Sequence, residues 1–259
     1  TDIFWVCFEA TENIGIKFGP RSIEIEDAFI YLDKEIEFFL QFVEKEVGKD
    51  NVLVFLTSNH GIAENTTYLQ DNKLPAGQFK QVKAEQLLRS YLNAMYGTKE
   101  WISYFGNKSV YFNHNMVEDA HINLKEMQEK CTDFMVKLTG VANVFASCTL
   151  EGGRVSEGII HQMSNSFNQK RSGDLLINLE PGWIEQTMTE ASAHNSPYNY
   201  DTHVPLIWYG WKIEKNSVTR FVSLVDIAST LSMLLFIPEP NVSNGNAIWE
   251  IGEQGNSGH

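Results

Sequence analysis

Six residues on three short polar stretches could together do metal chemistry. Glu12 lies in residues 9–16, Asn59 and His60 in residues 57–61, and His194, Asp201 and His203 in residues 194–203. Imidazole nitrogens mixed with carboxylate and amide oxygens are the donors of an O/N-ligated divalent-cation site. Taken singly, each histidine is as well explained as a satisfied polar residue. The recurrence on three stretches is what points to a metal. His114, His121 and His161 fall elsewhere and carry no assignment. Lys17 and Arg21 are the basic residues near the first stretch that could meet an anion, and solvated surface charge explains them equally.

For the three stretches to converge, each should leave the end of a strand. Residues 52–56, V-L-V-F-L, are an unbroken apolar run of the kind buried on both faces of a sheet. Polar residues 57–60 follow at its carboxyl end, where open α/β sheets bind ligands. Residues 3–8 are a second strand candidate, ending in a polar, glycine-containing loop over 9–16. Between the two strands Ser22 caps a long helix, with Glu24, Glu26 and Asp27 in its first turn. Ile25, Phe29, Leu32, Ile36, Phe39, Val43 and Val47 give it one apolar stripe, and Gly48 ends it. Residues 3–56 thus predict a strand–helix–strand unit, which normally makes a right-handed crossover between parallel strands.

From residue 62 to 171 the pattern changes. Short strands at 110–112 and 144–146 alternate with amphipathic helices around 79–95, 123–138 and 154–165, which predicts a compact α+β insertion. Strands at 174–179 and 205–209 then return to the core. Ser223 caps a last helix, whose Leu224, Ile227, Leu231 and Leu234 face inward and which Pro238 and Pro240 stop. The Gly/Asn/Ser-rich tail after Glu250 is expected to fray. The expected organisation is a core of residues 1–61 and 172–259 carrying an inserted cap of residues 62–171.

Composition narrows the function classes. A net charge of −13, from 33 acidic and 20 basic residues, argues against nucleic-acid binding. No stretch approaches the ~18 uninterrupted apolar residues of a membrane span. Cys7, Cys131 and Cys148 form no CxxC pair, so free thiols are expected rather than a disulfide framework or cysteine-rich zinc site. Sequons at Asn65, Asn107 and Asn241 are weak evidence for secretion in a chain this rich in Asn and Ser. No signal peptide is evident, and residues 1–6 look like the entry to a strand already inside a fold.

The motifs themselves carry a resemblance. T-S-N-H-G-I-A (57–63) resembles the T-A-D-H-G-V-A segment of the alkaline phosphatase superfamily, and S-P-Y-N-Y-D-T-H-V-P-L (196–206) its T-H-V-P-L segment. A-T-E-N-I-G-I-K-F-G-P-R-S-I-E-I-E-D (10–27) resembles S-T-D-Y-V-G-H-R-F-G-P-x-S-x-E-x-x-D. K-L-P-A-G, G-V-A-N-V and K-R-S-G-D also fit. The chain is identified with the phosphate-irrepressible, monomeric bacterial alkaline phosphatases and the related nucleotide pyrophosphatase/phosphodiesterases. The resemblance implies a three-layer α/β/α sandwich, of which this chain is the C-terminal portion, with an inserted α+β cap. It also implies a two-zinc centre with a Thr or Ser nucleophile, acting by in-line displacement.

Carried over residue by residue, the resemblance places Glu12, Asn59, His60 and His203 at zinc-ligand positions. His194 and Asp201 become residues supporting them. Glu12 stands where the family has Asp, and Asn59 replaces another Asp. Ile16 occupies the position of a zinc-binding His and ligates nothing. The nucleophile and a further Asp have no counterpart here. The resemblance therefore implies an alkaline-phosphatase-like protein that has lost two-zinc phosphatase activity, with zinc absent or weakly held, serving as a binding or structural component of a complex. The alternative is an active metal-dependent phosphatase or phosphodiesterase whose nucleophile lies in an N-terminal half. The expected partner is that N-terminal half or another protein chain, and the expected location is the periplasm or cell envelope.

Overall fold

The computed structural model describes residues 2–152, 158–185 and 191–252. Its first helix, α1 (Ala10–Phe18), occupies a stretch whose glycine predicts a loop. Gly15 is buried in the helix, and a Cβ there would lie 3.0 Å from Ile62 Cδ1 and 3.7 Å from Ile25 Cδ1. It marks close packing rather than a turn, at a propensity cost of about 1 kcal/mol. Residues 3–8 form no strand, contrary to expectation, and Ile3, Phe4 and Trp5 are 80%, 78% and 72% exposed. A strand is fixed by the ladder it joins, and here no ladder includes this run.

Helix α2 (Ile23–Val47) starts where Ser22 Oγ accepts the Ile25 N–H at 3.3 Å. It stops at Gly48, whose φ of 87° a side chain would strain. Then come β1 (Leu53–Thr57), α3 (Thr66–Asp71), β2 (Gly77–Phe79) and α4 (Gln81–Tyr96). Next are β3 (Ile102–Gly106), β4 (Ser109–Phe112), α5 (His114–Asp119), α6 (Leu124–Met135), β5 (Val141–Ala146) and α7 (Ser147–Leu150). The chain continues through α8 (Gly158–Ser166), β6 (Leu175–Leu179), β7 (Trp183–Glu185), α9 (Asn199–Thr202) and β8 (Leu206–Gly210). It closes with α10 (Asp226–Leu235) and α11 (Trp249–Gly252). Helix α8 covers the later part of the helix expected over 154–165, and residues 153–157 lie outside the described residues.

Two compact units divide the chain: Thr1–Tyr31 with Asn59–Val204, and Leu32–Ser58 with Pro205–His259. The first is built on an antiparallel sheet of order β3-β4-β6-β5. A two-residue turn joins β3 to β4, with Asn107 and Lys108 at φ 51° and 56°, the positive pair that matches hairpin twist. All of β6 is buried, and it lies between β4 and β5. The strand expected to resume a parallel core after residue 171 therefore belongs to the sheet of the inserted region. Helix α4 offers Ala84, Leu88 and Leu92, and α6 offers Met127, Cys131 and Met135, each set at spacings of four. Both stripes enter one core with Trp101, Phe105, Val110 and Ile177. Burial of each large side chain there stabilises by about 1.5–3 kcal/mol. A smaller parallel pair, β2 with β7, completes the unit's sheets.

In the second unit β1 pairs with β8, antiparallel, from Leu53↔Gly210 to Thr57↔Leu206. The parallel crossover predicted for residues 3–56 does not form, because its first strand is absent. β1 is accordingly only partly buried instead of covered on both faces. At the start of α10, Asp226 carboxylate oxygens accept the N–H groups of Ser223 (2.9 Å) and Asn246 (2.8 Å). No side chain caps this helix, contrary to the expectation for Ser223; the Asp226 carboxylate instead holds the backbone that leads into it and residue 246. Phe236 ends it in the left-handed conformation, two residues before Pro238.

Candidate metal centre

All the residues that follow lie in the first unit. Helix α1 carries Glu12 and, one turn on, Ile16 on the same face. The Ile16 carbonyl accepts the N–H groups of Ala191 (2.9 Å) and Ser192 (3.1 Å), anchoring the stretch that leads to His194. That stretch is tied in turn to the loop carrying His60. Ala63 N–H donates to Ala193 O at 2.8 Å, and Ser192 Oγ donates to Ala63 O. Gly61 N–H donates to Asp201 O at 2.7 Å, and a Cβ on Gly61 would sit 2.0 Å from Tyr200 O. Glycine is the residue that permits this approach.

This lacing brings together Glu12, His60 and His194, whose ligand atoms all lie within 4.8 Å of one another. Glu12 Oε1 is 3.6 Å from His60 Nε2 and 3.5 Å from His194 Nε2. These are ion-pair separations, longer than an N–H···O hydrogen bond. The two imidazoles stack, with centroids 4.0 Å apart and planes 9° from parallel. His60 Nδ1 lies 2.7 Å from the Gly61 carbonyl oxygen, which only accepts. His60 Nδ1 is therefore the donor in that bond, and Nε2 is the nitrogen that faces Glu12.

The other expected residues are placed differently. Asn59 is exposed, and its Oδ1 accepts the His60 N–H at 3.1 Å, so its amide oxygen is occupied locally. His203, expected among the ligands, is exposed at the C-terminal end of α9 and stands outside the group. His194, expected only to support the ligands, is in it. Hydrogen bonds at Ile16 O and Ala63 hold residues 191–193 beside the loop that carries His60, while His203 N–H closes the α9 turn on Asn199 O. Asp201 is buried, and its Oδ2 accepts the Ser196 N–H at 2.6 Å. Arg21 pairs with Glu64 at 2.5 Å and lies over the Tyr68 ring, and Lys17 lies over Phe18. His114 pairs with buried Asp174 at 2.9 Å, and His161 Nε2 lies 3.1 Å from Asn165 Nδ2. Lys108 Nζ donates to Asn195 O at 2.5 Å, and burial pushes its pKa down against the opposing pull of Glu185 and Asp201.

Two imidazole nitrogens and one carboxylate oxygen are a zinc-type donor set. Around an ion with ligand bonds of about 2.0–2.1 Å, tetrahedral ligand atoms are about 3.4 Å apart. The separations of 3.5 and 3.6 Å match that edge, provided the stacked rings tilt to share the ion. One divalent ion therefore fits. Among the described residues this is the one such group, and Ile16 beside it offers no donor, while Asn59 Oδ1 accepts the His60 N–H.

Known proteins bear on this geometry. The sequence model of the type I phosphodiesterase / nucleotide pyrophosphatase family matches residues 1–203. The chain is 31% identical over 251 residues to alkaline phosphatase PafA of Elizabethkingia meningoseptica, covering 97% of this chain and 46% of that protein. It is equally 31% identical over 251 residues to alkaline phosphatase PhoV of Synechococcus elongatus, covering 97% and 45%. The crystal structure of PafA superposes with a TM-score of 0.87 at 30% identity, over 94% of this chain and 46% of that one. Human ectonucleotide pyrophosphatase / phosphodiesterase 5 reaches a TM-score of 0.60 at 14% identity, over 93% and 55%, a likeness of fold alone. The fold is alkaline-phosphatase-like α/β, and the chain spans about half the length of the curated relatives it matches.

Proposed function

Since the chain belongs to the type I phosphodiesterase / nucleotide pyrophosphatase family of the alkaline phosphatase superfamily, we propose that it is a member without two-zinc phosphoryl transfer, retained as a binding or structural component. The observation that carries this reading is the donor count. Two-metal catalysis needs ions about 3.5–4 Å apart, clamping the attacking and leaving oxygens together. Glu12, His60 and His194 hold one ion, and Ile16 and Asn59 remove the donors for a second. A single zinc ion, held by these three residues, supplies charge and structure where α1 meets residues 59–63 and 191–203.

The test is hydrolysis of p-nitrophenyl phosphate and bis(p-nitrophenyl) phosphate with zinc in excess. Rates at the buffer background support the reading. Turnover that a chelator abolishes and zinc restores would overturn it, in favour of an active hydrolase.

A polypeptide partner is part of the proposal: the chain's own N-terminal portion or another protein. Exposed apolar side chains support it, among them Ile3, Phe4 and Trp5 in one unit and Phe38 and Phe42 in the other. Soluble monomers rarely leave contiguous apolar patches of several hundred Å² uncovered. The isolated chain is expected to self-associate or bind a hydrophobic dye at micromolar concentration. A monodisperse monomer that binds no dye would refute this. The proposed location is the periplasm or cell envelope, which rests on the family resemblance. Among the described residues no helix is long and apolar enough to cross a membrane.

A further inference from the structure

Asn195, next to His194, has φ +70°, in the left-handed region that residues with a side chain occupy sparsely. Such a conformation persists where its surroundings over-determine it. Here they act on one peptide unit, the one joining Asn195 to Ser196. Its oxygen accepts from Lys108 Nζ at 2.5 Å, and its N–H donates to Asp201 Oδ2 at 2.6 Å. A peptide carries a dipole of about 3.5 D, negative at the oxygen and positive at the N–H. The cation therefore meets the negative end and the anion the positive end, both through charge-assisted hydrogen bonds. Both side chains line one small cavity of about 40 Å³, where charges are screened little by solvent.

Each charge is itself held from elsewhere in the unit. Lys108 sits in the turn between β3 and β4, and its own N–H donates to Glu185 Oε1 at 3.1 Å. Burial disfavours its charge, and the carboxylates of Glu185 and Asp201 favour it. Asp201 sits in α9, and its carbonyl accepts the N–H of Gly61, the residue after His60, at 2.7 Å. One end of the clamped peptide is thus tied to the loop of His60, and the other to the four-stranded sheet.

We propose that Lys108 is a positioning residue for His194, acting through the Asn195 carbonyl. Its ammonium fixes the rotation of the 195–196 peptide, keeps Asn195 left-handed and so sets how His194 enters the group with Glu12 and His60. The inference rests on the one-ion reading for its zinc readout, and on the hydrogen bonds alone for its backbone readout.

The experiment compares the unsubstituted chain with Lys108→Met, Asn195→Gly and the two together, by zinc titration and by amide exchange read in a mass spectrometer. Methionine keeps the apolar stem of the lysine and removes the cation. K108M should bind zinc about 10- to 100-fold more weakly. Its amides over residues 191–203 should exchange faster, while those of α4 are unchanged. Glycine adopts positive φ without a side-chain penalty, so N195G should bind zinc as the unsubstituted chain does, and the double variant should recover several-fold of the K108M loss. Unchanged exchange over 191–203 in K108M overturns the proposal, as does zinc held by K108M as tightly as by the unsubstituted chain. So does exchange that rises in α4 as much as in 191–203, which marks a loss of the whole fold, or a double variant no tighter than K108M. If K108M does not fold, acetylation of the unsubstituted chain decides. Lys108 modified far more slowly than exposed Lys45 supports the bonded ammonium, and equal rates overturn it. A chain that binds no zinc but shows the local rise in exchange in K108M refutes the one-ion reading and keeps this inference. A chain that binds one zinc equally well with and without the Lys108 cation does the reverse.

Discussion

Replacing Gly61 by alanine should cost far more than a lone methyl group suggests. The new Cβ would lie 2.0 Å from Tyr200 O and 3.0 Å from Tyr200 C, both backbone atoms that no rotamer change can move. An ordinary C···O contact is about 3.3 Å, so the two segments must part by about 1.3 Å. That breaks the 2.7 Å bond from Gly61 N–H to Asp201 O. Leaving such groups unpaired costs about 1–3 kcal/mol, and with the loosened packing around it the expected total is about 3 kcal/mol. The same parting carries His60 away from His194, so zinc affinity should fall with stability. Gly97→Ala is the control, since Gly97 has φ +87° but nothing within 4 Å of an added Cβ. There only the positive-φ backbone is penalised, by about 1–3 kcal/mol, and zinc binding should be unchanged. Urea unfolding of both variants, with zinc titration by calorimetry, makes the comparison. If G61A were no less stable than G97A, or bound zinc as the unsubstituted chain does, the proposed lacing of the site would be wrong.

Further predictions follow from the same geometry. Ile16→His adds an imidazole one helical turn from Glu12 and should tighten zinc by about tenfold, or 1.4 kcal/mol, in competition with a chelator; unchanged affinity would count against the placement of α1. Adding Asn59→Asp to it should still leave hydrolysis of p-nitrophenyl phosphate near background if the proposed loss of two-zinc phosphoryl transfer holds. Leu88→Ala, in the core between α4 and the four-stranded sheet, should destabilise by about 2–5 kcal/mol, measured by the same unfolding assay. Burial pushes the Cys131 thiol from 9.0 up to about 12. The folded state disfavours the thiolate, so this contribution is complete below pH 9 and is lost as pH rises towards 12. By pH 10 it should have fallen by about 1.4 kcal/mol, seen as a steeper alkaline loss of stability than in Cys131→Ala.

Much of the secondary structure was legible in local pattern. The apolar stripes of α2, α4 and α6, the Ser22 cap and the Gly48 stop are all signals carried by neighbouring residues. What local pattern could not supply was pairing. Residues 52–56 have the composition of a doubly buried strand, yet among the described residues β1 pairs with β8 alone, and residues 3–8 join no sheet. Likewise nothing within residues 174–179 says that they lie between β4 and β5. Gly15 shows the limit of reading glycine as punctuation, since it sits inside α1 to let Ile62 approach. At the site, Glu12 and His60, singled out by residue type, lie close together with His194. The closeness of His194 to them depends on hydrogen bonds at Ile16 O and Ala63 that link residues far apart in sequence, which no spacing records.

On the proposed reading this chain binds one metal ion where a two-zinc centre needs two. Native mass spectrometry after zinc loading and desalting measures it directly. The expected result is one zinc per chain, lost in Glu12→Gln and in His194→Ala and retained in His203→Ala. Two ions per chain, or one ion that His203→Ala removes and His194→Ala does not, would contradict the account.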